Sequence, residues 1–277
     1  MTRYGMVVNV ARCVGCYNCF ITCKDEHCGN DHLPYAAAQP MTGHTWMRVV
    51  ETERGRFPKL KVDYTAIPCM HCDDPPCVAA ARDGATYLRD DGIVLIDPAK
   101  AAGQHELVRS CPYRVIYWNE EAQVPQKCTL CAHLLDAGWK EPRCVEACPT
   151  GALVFGDLDD PGSAVSLLMA SGQTEVLHPE YGLSEKVRYL GLPKSFVAGA
   201  VVFGDTDECA VGVNITLEGA GRKETVSTDA YGDFEFEGLP ADTAYTLRIA
   251  SPGYQEKAIG VKTNTSVYLG DVVLTRA

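Results

Sequence analysis

Residues 13–23 read CVGCYNCFITC, and the spacing of their cysteines decides the fold of this part of the chain. Cys13, Cys16 and Cys19 are separated by two residues each, and Cys23 follows after three more. Gaps of two residues let a tight loop direct successive sulfurs at different irons of one [4Fe–4S] cluster, while the fourth cysteine reaches a neighbouring cluster. Zinc sites use paired cysteines from separate loops, so this run of three close ligands fits zinc poorly. The run therefore predicts iron–sulfur clusters.

Eight of the other ten cysteines fall into three further groups along the chain. The groups are Cys69-x2-Cys72-x4-Cys77, a single Cys111 before Pro112, and Cys128-x2-Cys131-x12-Cys144-x3-Cys148 before Pro149. Of the 14 cysteines in 277 residues, only Cys209 lies outside the span from Cys13 to Cys148. Secreted disulfide scaffolds are usually much shorter chains, so this number of thiols indicates metal binding.

An exchange of fourth ligands between runs assigns twelve of these cysteines to three complete ligand sets. In this arrangement the last cysteine of one run completes the cluster of its partner run. The first set is Cys13, Cys16, Cys19 and Cys148; the second set is Cys23, Cys128, Cys131 and Cys144; the third set is Cys69, Cys72, Cys77 and Cys111. Cys28 and Cys209 are left over, and we expect them to behave as ordinary small thiols.

Three residues near the cysteine runs have roles that the sequence leaves open. His71 lies between two ligands of a complete set, so we expect it to hydrogen-bond near the cluster rather than to ligate it. Lys127, directly before Cys128, either donates toward a cluster or partner or is a solvated charge. Trp46, between the first two runs, either docks a partner or packs in the core.

The cysteine motifs resemble the four-cluster electron-transfer subunits of the molybdopterin oxidoreductases of dimethyl-sulfoxide-reductase type. The resemblance covers roughly residues 5–160 and rests on residues 13–23, 68–77, 110–113 and 127–152. It implies a tandem fold of bacterial-ferredoxin type that binds three [4Fe–4S] clusters through the twelve cysteines. It also implies a large catalytic partner subunit that carries molybdopterin guanine dinucleotide with Mo or W. No catalytic residue is then expected on this chain, whose role would be electron transfer.

The chain departs from the family pattern at four positions. The family has four runs of four cysteines, but here Ala81, Ala101, Gln104 and Leu107 stand where four of those ligands belong. Under the exchange rule these four form the complete ligand set of one cluster, so one whole cluster is missing. Because protein interiors are close-packed, the vacated volume must be filled. We expect residues 99–108 to form a helix or compact loop with Leu107 pointing inward.

The composition changes near Ser195, and the remaining tail reads as all-β. Val211, Val213, Ile215 and Leu217 alternate with polar residues or glycine, as in a half-buried strand. We expect about seven short strands in a small antiparallel sandwich or barrel. Residues 228–234, 238–240 and 245–247 resemble the transthyretin-like modules related to the carboxypeptidase regulatory domain. The predicted fold class is therefore α+β, with an iron–sulfur domain over residues 1–195 and a β-domain over residues 196–277; residues 157–195 read as a long irregular connection with one short helix.

Composition and charge exclude several classes of function. With 25 basic and 36 acidic side chains, the net charge of −11 argues against nucleic-acid binding, which uses Lys and Arg against phosphates. No apolar run approaches the ~18 residues that a membrane-spanning helix needs. Residues 1–12 lack the apolar region of a signal peptide, so we expect a cytoplasmic location. There is no phosphate-binding glycine loop and no convincing Ser/His/Asp set.

A three-cluster subunit with an added β-domain resembles the transhydroxylase members of the family. That resemblance implies a partner that transfers a hydroxyl group between polyphenols. Two alternatives stay open: a relay subunit of a respiratory complex of the dimethyl-sulfoxide-reductase type, and, in another class, a zinc-bearing assembly protein.

Overall fold

The computed structural model describes residues 2–277, which divide into two compact units. The first unit runs through Glu51 and then from Asp63 to Leu192; the second consists of Thr52–Val62 and Pro193–Ala277. The predicted boundary after Ser195 lies three residues beyond this division. No sequence pattern indicated that Thr52–Val62 belongs to the second unit. No helix within residues 2–277 has the length and apolar character needed to cross a membrane.

The first unit contains a four-stranded mixed sheet. Its strand order is β8 (Leu153–Asp157), β1 (Tyr4–Asn9), β10 (Val187–Leu190) and β9 (Thr174–Glu175). β1 pairs antiparallel with β8 and parallel with β10. Met6, Val7 and Val8 are fully buried, as expected for a central strand that is covered on both faces.

The expectation of an irregular connection after residue 157 is wrong in part. Besides α6 (Ala164–Ala170), this segment supplies β9 and β10 to the sheet. The Ser163 side chain caps α6 by accepting a hydrogen bond from the Ser166 N–H at 3.1 Å. In β10, Val187 and Tyr189 are buried and alternate with Arg188 and Leu190, but a run of four residues is too short for this alternation to stand out in the sequence.

Short helices carry or adjoin the cysteine runs of the first unit. They are α1 (Asn18–His27), α2 (Pro76–Ala80), α3 (Glu106–Ser110), α4 (Ala132–Asp136) and α5 (Arg143–Glu146). α1 packs on α5, and α2 packs on α3. Three hairpins complete the description: β2 (Arg48–Arg56) with β3 (Lys59–Ile67), β4 (Thr86–Leu88) with β5 (Val94–Ile96), and β6 (Tyr117–Asn119) with β7 (Val124–Gln126).

The second unit contains a β-sandwich of eight strands, one more than the seven expected. The strands are β11 (Ser195–Phe203), β12 (Glu208–Cys209), β13 (Asn214–Gly219), β14 (Arg222–Ser227), β15 (Asp233–Leu239), β16 (Ala244–Ala250), β17 (Lys257–Lys262) and β18 (Val267–Leu274). One sheet has β11 between β15 and β18, with β12 paired at the C-terminal end of β11; the other has the order β14-β13-β16-β17. Val201 and Phe236 from one sheet and Leu217 and Leu247 from the other share the core between them.

The tip of the β2–β3 hairpin is held in this second unit mainly by charged groups. Lys61 pairs with Glu235 and Glu237, and Lys59 Nζ lies 2.9 Å from a Glu235 carboxylate oxygen. The Phe196 ring lies so close to Gly55 that a Cβ there would be 2.5 Å from it. Charge pairs of this kind leave no periodic pattern in the sequence. For this reason the sequence-based boundary assigned the whole hairpin to the first domain.

Candidate metal centres

The first set of cysteines lines one cavity in the first unit. All four of its members, Cys13, Cys16, Cys19 and Cys148, border the same space, together with apolar residues. Gly15 in this loop has φ +65°, and the Tyr64 ring approaches so closely that a Cβ would lie 2.6 Å from it. The loop therefore requires glycine here. Burial opposes ionisation of Cys148, but hydrogen bonds from the N–H groups of Leu153 and neighbouring residues outweigh it and lower its pKa.

The third set lines a second, separate cavity. Cys69, Cys72, Cys77 and Cys111 border it, and Lys127 and Tyr113 complete its polar lining. Burial is the main cause that raises the pKa of Cys72 to about 12 and that of Cys77 to about 11. A bound metal would supply positive charge that favours the thiolate form of such buried thiols.

The second set is the most deeply buried of the three. Cys23, Cys128, Cys131 and Cys144 are each less than 9% exposed. Burial raises the pKa of Cys144 well above its ordinary value, and the charges of Cys131, Cys128 and Cys23 raise it further. The N–H of Leu130 donates to Cys128 Sγ at 3.4 Å, a contact of the kind that stabilises cluster-bound thiolates.

The packed helices α1 and α5 explain how ligands are exchanged between the first and second sets. α1 carries Cys19 of the first set and Cys23 of the second set, four residues apart on one face. On the partner helix, Cys144 belongs to the second set, and Cys148 follows the end of the helix and joins the first. Each helix thus supplies one sulfur to each site, as the exchange rule predicts.

The second set adjoins both of the others. The packed helices α1 and α5 carry, or lead directly into, cysteines of the first and second sets. Lys127 lines the cavity of the third set, and its Nζ donates to the carbonyl oxygen of Cys128 in the second set.

The donor groups fit [4Fe–4S] clusters. All fourteen cysteines are free, and eight of them line two cavities in sets of four. His71 is fully buried, and its Nδ1 accepts a hydrogen bond from the Val94 N–H at 3.0 Å, so the proton of the neutral ring is on Nε2. Within residues 2–277 that Nε2–H finds no acceptor. An unpaired buried donor beside Cys69 and Cys72 is what a cluster, with its sulfur acceptors, would satisfy.

Comparison with known proteins agrees with this geometry. A model of the 4Fe–4S dicluster domain matches residues 60–158, and a model of the carboxypeptidase regulatory-like domain matches residues 197–275. The chain is 42% identical to the pyrogallol hydroxytransferase small subunit of Pelobacter acidigallici, over 99% of this chain and 100% of that protein. It is 37% identical to a tetrathionate reductase subunit of Salmonella typhimurium, over 70% of this chain and 75% of that protein. The chain is 36% identical to a putative dimethyl sulfoxide reductase iron–sulfur subunit of Halobacterium salinarum, over 69% of this chain and 79% of that protein.

The chain belongs to the iron–sulfur subunits of the dimethyl-sulfoxide-reductase family. The expected resemblance is thereby confirmed, and so is a β-domain of the carboxypeptidase regulatory type. These iron–sulfur subunits serve electron transfer, and this chain shares that general role.

The four positions where this family member lacks cysteine lie together around the helices α2 and α3. Ala81 and Ala101 pack in one apolar cluster, and Leu107 is fully buried at the start of α3. Gln104 is 3% exposed, and its amide bonds to the main chain of Arg82 and to the Lys100 carbonyl. The vacated volume is therefore filled by protein, and residues 99–108 run as turns into a short helix, as expected.

The structure also decides most of the open roles. Trp46 is 1% exposed and packs against the His27 ring at 4.7 Å, so it belongs to the core. Lys127 is 3% exposed and is not a solvated charge. Cys28 Sγ lies 3.8 Å from the Met41 sulfur, and Cys209 is exposed on β12; neither lines the two cavities.

His27 is a residue near the second set that the sequence did not single out. Its Nε2 lies 3.9 Å from Cys131 Sγ, and its ring is 2% exposed. Burial lowers the pKa of His27 to about 3, so the ring is neutral. The sequence did contain a signal for this position. His27 follows Cys23 by four residues in α1, and that spacing puts both side chains on one face of the helix.

Proposed function

We propose that the chain holds three [4Fe–4S] clusters and is the electron-transfer subunit of a hydroxytransferase that acts on polyphenols, of the pyrogallol–phloroglucinol type. The observation that carries the proposal is that the first and third sets, of four cysteines each, line two cavities of their own, while all four cysteines of the second set are buried. The clusters supply one-electron redox chemistry, and the ligands of each are those of the first, second and third sets. The protein supplies ligation, burial and hydrogen bonds.

The order of the sets supports a linear relay with its middle member shielded from water. Cys16 of the first set is exposed, whereas every member of the second set is buried. The third set then ends the relay, because the positions of a further cluster are occupied by Ala81, Ala101, Gln104 and Leu107. Two ferredoxin-type halves, one around α1 and α5 and the other around α2 and α3, account for this arrangement.

The catalytic centre belongs, in this proposal, to a large partner subunit that carries molybdopterin guanine dinucleotide with Mo or W. Val14 and Ile21, beside the exposed first set, are 63% and 57% exposed. We assign this apolar rim to contact with the partner, because it surrounds the set whose sulfur is nearest to the surface. Hydroxyl transfer between polyphenols is redox-neutral overall, so the clusters would set or buffer the oxidation state of the partner's metal.

Similarity over the whole chain favours this substrate class. The pyrogallol hydroxytransferase small subunit matches 99% of the chain, including the β-domain. The tetrathionate reductase and dimethyl sulfoxide reductase subunits cover 70% and 69% of it. Those two relatives favour the second candidate, a relay subunit of a respiratory reductase.

The test is to purify the chain under anaerobic conditions with its natural partner. We expect brown protein with about twelve irons and about twelve sulfides per copy of this chain, three cubanes of four. The complex should convert pyrogallol without an added electron donor or acceptor. A complex that turns over only with an external electron donor would favour the respiratory candidate, and colourless protein that contains zinc would contradict both.

A further inference from the structure

Lys127 is a buried ammonium group without a carboxylate partner. Its side chain is 3% exposed, and Nζ donates to the carbonyl oxygens of Val94 and Cys128. Within residues 2–277 no Asp or Glu forms an ion pair with it, although the chain has 36 acidic residues. Burial of a charge costs free energy unless an opposite charge compensates it, so this group requires an anion.

Lys186 shows how the same unit treats another buried lysine. It is 2% exposed, and its Nζ lies 2.5 Å from the carboxylate of Asp73 while donating to the His71 carbonyl at 2.9 Å. Lys186 therefore has its counter-charge within the protein. Lys127 has only carbonyl dipoles, which solvate an ammonium group but leave its net charge uncompensated.

The surroundings of Lys127 identify the anion that it requires. It lines the cavity of the third set, and it bonds to the carbonyl of Cys128, a member of the second set. Although burial dominates the raised pKa values of Cys77, Cys111 and Cys128, the charge of Lys127 lowers the pKa of each. The ammonium group thus acts on sulfurs of both neighbouring sets.

We propose that Lys127 is a fixed counter-charge shared by the clusters of the second and third sets and that it raises the reduction potentials of both. The proposal rests on the proposed function, because it needs clusters at these sets. A cubane with four thiolate ligands is negatively charged and becomes more negative by one unit on taking up one electron. A nearby positive charge stabilises the reduced form more than the oxidised form, so it raises the potential.

The test compares two neutral variants, Lys127→Met and Lys127→Gln, by anaerobic redox titration of the purified holoprotein followed by electron paramagnetic resonance. Glutamine keeps an amide donor for the Val94 and Cys128 carbonyls, so it separates charge from hydrogen bonding. We expect the potentials of two clusters to fall in both variants. The potential of the remaining cluster, at the first set, should stay unchanged. Its signal is identified as the one that changes in the variant Cys16→Ser.

Lys186→Met is the matched control, because it removes a buried ammonium group that already has a carboxylate partner. We expect a smaller shift from it than from either Lys127 variant. If Lys127→Gln retains all its iron and wild-type potentials, the proposal is wrong and Lys127 is only a structural donor. If Lys127→Met loses iron, the redox titration of Lys127→Gln alone tests the proposal. A wild-type protein without iron at the second and third sets would overturn the proposed function itself, and this proposal with it.

Discussion

Gln104 bonds to both main-chain groups of Arg82: its Oε1 accepts from the Arg82 N–H at 3.0 Å, and its Nε2 donates to the Arg82 carbonyl at 3.3 Å. The same Nε2 donates to the Lys100 carbonyl at 2.9 Å. The Gln104 side chain thus joins the residue after Ala81 to the loop of Lys100. Hydrogen bonds hold together two segments that carry positions where the sequence predicts missing ligands.

Gln104→Ala should therefore destabilise the first unit without removing iron. The change removes the hydrogen bonds that the buried Gln104 amide makes to the main chain of Arg82 and Lys100, and such losses cost about 1–3 kcal/mol. The measurement is the temperature at which the visible cluster absorption bleaches, with iron counted beforehand. Gln123→Ala is the control, because Gln123 is exposed and its side chain bonds only to Glu120, so its bleaching temperature should stay close to wild type.

Restoring cysteine at the four substituted positions should restore a cluster. The protein with Ala81, Ala101, Gln104 and Leu107 all changed to Cys is expected to gain about four irons per chain, because α2 and α3 still pack together and place these positions in one region. Iron and sulfide analysis checks the gain after reconstitution. A folded protein with unchanged iron would show that the backbone of residues 99–108 no longer permits a cubane.

Loss of one ligand of the third set should empty only that site. Cys77→Ala is expected to hold about eight irons instead of about twelve, because a cubane needs four thiolates and the other eight ligands are untouched. Cys28→Ala removes a thiol that lines neither cavity and should keep the full iron content. Equal iron in the two variants would contradict the assigned ligand sets.

The β-sandwich should fold without the cysteine-rich unit. A fragment of residues 193–277 contains both sheets and their shared core, so we expect soluble, colourless protein with the circular dichroism of strands. It lacks the hairpin tip, whose lysines pair with Glu235 in the full chain, and exposed pairs of this kind contribute only about 0–1 kcal/mol each. An unfolded fragment, or one that binds iron, would argue against an independent β-domain.

The cysteine sets were predictable because cluster chemistry fixes ligand spacing more strictly than any propensity fixes a helix or strand. The grouping of Cys23 with Cys128, Cys131 and Cys144 followed from a counting rule and stays a prediction; the structure shows that all four are buried. The filled site was predictable for the same reason, since Ala101 and Leu107 could be aligned to missing ligands.

Other features depend on tertiary contacts that leave no local pattern. β10 was missed because it is only four residues long and follows a segment rich in Gly, Pro, Asp and Ser. The adjacent Lys186 is buried and pairs with Asp73, a contact that no local pattern indicates. The burial of Lys127 could not be read from its position before Cys128, because neighbours in sequence do not determine solvent access. The hairpin tip joined the second unit through charge pairs with residues more than 170 positions away.

The ligand sets also impose an order on the maturation of the protein. All members of the third set lie between Cys69 and Cys111, whereas the first set is complete only after Cys148 has been synthesised and the second only after Cys144. During synthesis, Cys13, Cys16, Cys19 and Cys23 therefore emerge from the ribosome more than a hundred residues before their sites can be completed. The most deeply buried of the proposed sites takes cysteines from both ends of this span. Under the proposed ligand sets its cluster can be completed only when α1 and α5 are brought together, so we expect cluster insertion and the packing of these two helices to be coupled.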